Sequence, residues 1–95
     1  MTPKTSKFDP AEFLPNQTDQ AELVADAFAS DDPQYIKLAL STVARARSMT
    51  ETGKAAGISR QALYKALGEN GDPKLSTLTK ITKAMGIDIR AALSA

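Results

Sequence analysis

Ser59, Arg60, Gln61, Tyr64 and Lys65 are the side chains of this chain whose types and spacing point to a chemistry. On a helix they fall on one side of its first two turns. Arginine carries a planar fork that pairs bidentately with guanine, and glutamine pairs in the same way with adenine. The Ser59 hydroxyl can reach a phosphate or a base edge, and Tyr64 and Lys65 can bind phosphate or bases farther along the helix. A helix that enters the major groove of DNA needs such a set in its N-terminal half. Thr50, at the head of the preceding helix, joins these DNA-binding candidates. The bland alternative is a helical hairpin with a solvated polar face.

Other chemistries find little support. The 95 residues include no Cys and no His. That excludes disulfides, thiolate or imidazole zinc sites, cysteine nucleophiles and histidine bases. No carboxylate pair stands in a pocket-forming context, so neither enzyme, metal site nor cofactor is expected. The longest apolar runs fall far short of the ~20 residues that span a bilayer. Met1 to Lys7 is polar with two lysines, and no apolar stretch follows, which argues against a signal peptide. A cytoplasmic location is expected.

Elements that would position the polar strip are legible around it. Thr50 is expected to cap a helix over residues 51–56, stopped by Gly57, and Ser59 a second over 60–67, stopped by Gly68. Two helices that meet at ~90–120° need a tight turn, often with glycine. Gly57 supplies its left-handed residue. Gly53 lies one turn earlier, where the helices cross, and Ile58 plugs the turn into the core. Leu63 and Leu67 pin the second helix from below and leave the opposite face free.

Farther out, periodicity predicts a helix over about 18–29 with Leu23, Val24, Ala27 and Phe28 inward, and another over 33–47, capped by Asp32, with Ile36, Ala39, Leu40 and Val43 inward. Ser76 is expected to cap a helix through Met85, with Leu78, Ile81, Ala84 and Met85 inward and Gly86 after it. Asp9-Pro10 permits one short helical turn before Pro15. No segment shows a convincing strand pattern. The expected fold is all-α, of about five short helices: a flexible extension over 1–17, a helical domain over 18–95 and a helix-turn-helix at about 50–67.

Charge is divided along the chain. Residues 8–32 carry seven carboxylates and no Lys or Arg, whereas residues 49–95 carry seven cations against four carboxylates. An acidic front and a basic back suggest two different partners. Segregation by chance is the simpler alternative.

Residues 49 to 87 resemble the lambda-repressor-like (XRE) helix-turn-helix domain. More narrowly, Phe8-Asp9-Pro10-Ala11-Glu12-Phe13-Leu14, Asp32-Pro33, Val43-Ala44-Arg45-Ala46-Arg47-Ser48-Met49-Thr50 and Ile58-Ser59-Arg60-Gln61-Ala62-Leu63-Tyr64-Lys65-Ala66-Leu67 resemble the HigA-like addiction-module antidote family. The last block is the most specific. Gly53, where Ala is more usual, departs from the pattern and would loosen the first helix of the motif.

The resemblance implies an antitoxin of a type II toxin–antitoxin pair. Such a protein binds a RelE/ParE-superfamily toxin, represses the shared operon, and sits as a homodimer on a palindromic operator. Two-fold pairing places half-sites ~34 Å apart. RelE-like toxins are typically basic, so the acidic front gains a meaning, with Phe8, Asp9, Glu12, Phe13, Leu14 and Glu22 as the toxin-binding candidates. Phe8 is the foremost of them, while Phe13, Leu14 and Phe28 could instead cover the domain's own core. Ile87, Ile89 and Leu93 could pair across a two-fold. Two other functions stay open: a stand-alone prophage-type repressor without a toxin, and an interaction module that never touches DNA.

Overall fold

The structure is a computed structural model, and it describes residues 17–88. Within them the chain forms α1 (Gln17–Ser30), α2 (Pro33–Arg47), α3 (Met49–Ala56), α4 (Arg60–Leu67) and α5 (Leu75–Ala84), with no strand. This matches the all-α expectation. The Asp9-Pro10 turn and the expected toxin-binding residues Phe8, Asp9, Glu12, Phe13 and Leu14 lie outside the described residues.

Every helix contributes to one core. Val24, Leu40, Val43, Ala44, Leu63, Ile81 and Met85 are fully buried, and Met49, Ala56, Leu67 and Ile87 nearly so. Leu23, Phe28, Ile36, Ile58 and Leu78 pack against this cluster as half-buried residues. The aliphatic stripes of the sequence therefore do the work that aromatics do in many small domains. Phe28 covers the core of its own chain. Ile87 is buried as well, so it is not an outward two-fold contact, and Ile89 and Leu93 lie outside the described residues. Ile87 is drawn inward because Gly86, at φ 73°, reverses the chain and lets the Ile87 N–H bond Thr82 O at 2.9 Å.

α1 and α2 form a hairpin. Asp32 caps α2 through Oδ1, which accepts from Gln34 N at 3.0 Å, and Pro33 takes the first helical position. Arg47 Nη1 donates to Gln20 Oε1 at 2.9 Å, and Tyr35 Oη donates to Asp26 Oδ2 at 2.6 Å. The hydrogen bond to the Asp26 carboxylate raises the Tyr35 pKa above its ordinary value, and desolvation and the carboxylate's charge add to it. A raised phenol pKa favours the neutral form in the fold. That contribution is whole below pH 10 and fades as pH climbs through the raised value. Ultraviolet titration of a Tyr64→Phe variant, which leaves Tyr35 as the sole phenol, is expected to show ionisation above pH 10 that Asp26→Asn moves back down.

A single residue, Ser48, joins α2 to α3. The expected cap of α3 was Thr50, but the helix starts at Met49 and Ser48 Oγ accepts from Glu51 N at 3.2 Å. Ser48 and Glu51 stand at the spacing of a capping box, and Met49 is buried directly after the cap, which draws the start of the helix back. Ser48 holds φ at 102°, a conformation that costs a non-glycine residue roughly 1–3 kcal/mol. Glycine at an N-cap costs only a few tenths of a kcal/mol against serine. Ser48→Gly is therefore expected to raise stability by about 1 kcal/mol, which a thermal melt reads as a Tm gain of roughly 4–8 °C. Ser48→Ala, which keeps the strain and loses the cap, is expected to lower it.

α5 also starts elsewhere than expected. Ser76 lies inside the helix, and the N-cap is Lys74, which makes no side-chain capping bond. Lys74 is extended after Pro73, so the chain turns into the helix two residues early, and Leu78 N bonds Lys74 O at 2.9 Å.

Candidate nucleic-acid interface

α3 and α4 pack as the two arms of the expected turn. Gly57 ends α3 at φ 77°, and its N–H reaches Gly53 O and Lys54 O. The Ile58 N–H bonds Gly53 O at 2.9 Å. Gly53 is buried at the crossing, and a Cβ placed on it would stand 2.9 Å from Ile58 O. Glycine there does more than relax a helix: it lets the backbone of the turn lie directly against α3.

Ser59 then caps α4, with Oγ accepting from Ala62 N at 2.9 Å. Leu63 is fully buried and Leu67 nearly so, which fixes the roll of α4 about its axis. The structure places Ser59, Arg60, Gln61, Tyr64 and Lys65 all on the exposed side. Thr50 is exposed on the first turn of α3, while Thr52 is buried. Arg60 and Tyr64 are not independent: the guanidinium carbon lies 5.0 Å from the tyrosine ring centroid, and Nη2 donates to Tyr64 Oη at 3.3 Å.

Lys37 is the residue that sequence reasoning missed. It points inward from α2 with only 7% of its surface exposed. Its Nζ donates to Glu69 O at 2.9 Å and Gly71 O at 2.6 Å, in the loop that follows α4. Gln34 Nε2 adds a longer bond to Glu69 O at 3.4 Å. A signal was present, since Lys37, Leu40 and Ala44 share one face of α2. The loop is drawn tight by this clamp. A Cβ on Gly71 would collide with the carbonyl oxygens of Lys65 and Ala66.

Beside α4 an open groove runs along the 68–74 loop to the start of α5, lined by Lys65, Ala66, Asn70, Lys74 and Thr77 among others. Among the described residues, no three acidic groups converge as metal ligands would. Of the acidic front, Glu22, Asp26, Asp31 and Asp32 are exposed on and just after α1. No helix among the described residues is long and apolar enough to cross a membrane.

A family model described as "Probable addiction module antidote protein" matches residues 4–93. An uncharacterized protein of Haemophilus influenzae is 35% identical over 94 residues, which cover 99% of this chain and 97% of that protein. No solved structure matches the chain.

Proposed function

The chain belongs to the family of probable addiction module antidote proteins, and from that premise we propose that it neutralises a toxin of the RelE/ParE superfamily by direct binding and represses its own operon by binding DNA. The antidote family implies a toxin partner and suggests a regulatory role rather than a catalytic one. The observation that carries the DNA half is the roll of α4. Leu63 and Leu67 are held in the core, and Ser59, Arg60, Gln61, Tyr64 and Lys65 are exposed together. A short helix whose inner face is locked and whose outer face carries a guanidinium, an amide and an ammonium suits base and phosphate contacts in a major groove. Thr50, exposed at the head of α3, is assigned to the same surface.

The helix reads only a few base pairs, so a homodimer on a palindromic operator is part of the proposal, with half-sites ~34 Å apart. The toxin half rests on charge. Glu22 and Asp26 are exposed on α1, and Phe8, Asp9, Glu12, Phe13 and Leu14 precede it in the sequence. Carboxylates steer the encounter with a basic partner while aromatics anchor it.

The test is co-expression with the neighbouring open reading frame, followed by pull-down and a gel shift on the upstream DNA. Arg60→Ala is expected to weaken the shift by about 1–3 kcal/mol if its contact is bidentate, and to leave toxin capture intact. Loss of toxin capture with an unchanged shift would refute this division of labour. Removing residues 1–16 is expected to abolish neutralisation; a stand-alone repressor would barely register that deletion.

A further inference from the structure

We propose that Tyr64 is a positioning residue for Arg60, so that the two act as one reading unit rather than as two separate contacts; this rests on the reading of α4 as the DNA-facing helix. The pair stands one turn apart, at i and i+4, where helical side chains meet. The guanidinium lies over the ring at 5.0 Å and donates to the hydroxyl at 3.3 Å. Both residues are exposed, and Tyr64 keeps 45% of its surface open. The contact therefore does not arise from being squeezed into a core.

Arg60 is the first residue of α4, and the Ser59 cap fixes the backbone beside it. Its long side chain is otherwise free on the surface. A free arginine samples many rotamers, and docking must select one of them. A ring under the guanidinium narrows that choice before DNA arrives. A guanidinium carries five N–H donors, so the one that Nη2 gives to Tyr64 Oη leaves the others available for a bidentate base contact. The geometry thus assigns Tyr64 an effect on sequence discrimination that passes through Arg60.

The test is a double-mutant cycle on the full chain, with the upstream duplex and a copy altered at the base pair that Arg60→Ala ceases to distinguish. Tyr64→Leu is expected to bind the upstream duplex ~2–5-fold more weakly, to lose discrimination by the same factor, and to melt at the wild-type temperature. Tyr64→Phe, which keeps the stack, restores most of both. The Arg60→Ala/Tyr64→Leu double variant binds no worse than Arg60→Ala alone. If the two losses multiply, Tyr64 makes its own contact and the positioning role is wrong while the DNA reading stands. If wild type and Arg60→Ala bind the duplex equally, the reading of α4 fails and the proposal fails with it. A readout without DNA is the NMR order parameter of the Arg60 Nε–H bond. It is expected to fall in Tyr64→Leu and to hold in Tyr64→Phe; an unchanged value in Tyr64→Leu overturns the proposal.

Discussion

Gly53→Val is expected to lower the stability of the protein by about 3 kcal/mol, at the upper end of what overpacking costs. Even the first carbon of a side chain at this position would sit 2.9 Å from Ile58 O, with the backbone of Ser59 and Arg60 at 3.5–3.6 Å behind it. These are backbone atoms of the turn and of the first residue of α4, so no rotamer change relieves the overlap. The Ile58 N–H to Gly53 O bond holds the same two segments together at 2.9 Å and resists separation. Valine adds two methyl groups and a stiff χ1 to that contact. A thermal melt followed by circular dichroism should show a Tm lower by more than ~12 °C. Alanine is the informative control. It overlaps with the same carbonyl, but it recovers about 1 kcal/mol of helix propensity over glycine. Gly53→Ala is expected to fall within ~1 kcal/mol of wild type. A Gly53→Val protein that melts with the wild type would mean the helices do not meet at this point.

The parts of the fold legible in sequence were those set by local chemistry. Pro33 after Asp32, Gly57 before Ile58 and Ser59 before Arg60 each specify a helix end through a bond or a dihedral that neighbouring residues supply. The exposed strip of α4 was legible for the same reason, because the spacing of Leu63 and Leu67 dictates which side chains face away. Less legible was anything decided by partners distant in the chain. Ile87 looked available for pairing until the turn at Gly86 carried it to the core. The start of α3 was set by competition between two hydroxyl residues, Ser48 and Thr50, and burial of Met49 favoured the first. The Arg60–Tyr64 stack lay within reach of the i, i+4 rule, but spacing alone does not say that a cation will rest on a ring instead of extending into water.

Lys37 is the sharpest case of a distant partner, and its removal is expected to have a comparable effect to a valine at Gly53. Burying an ammonium is costly, and replacing a buried polar network by apolar groups is often neutral. By that reasoning Lys37→Met, which keeps the aliphatic stem, would be harmless. The acceptors decide otherwise. Glu69 O and Gly71 O are backbone carbonyls that stay behind when the lysine goes, 32 and 34 residues away along the chain. A hydrogen bond involving a charged group contributes about 1.5–3 kcal/mol. Two such bonds, partly replaced by water on the exposed side of the loop, put the expected loss at about 3 kcal/mol. The loop would not relax in isolation, since Gly71 is wedged against the last turn of α4 and shifts with it. Lys37→Met should therefore lower Tm by more than ~10 °C. Hydrogen exchange should accelerate first in residues 68–74. DNA affinity should also fall, although Lys37 is buried away from the proposed interface, because the C-terminal end of α4 loses its support. Lys37→Arg, which retains a cation and its donors, should recover part of each effect. A Lys37→Met protein with wild-type melting and unchanged exchange in the loop would show that these carbonyls find water as readily as they find the lysine.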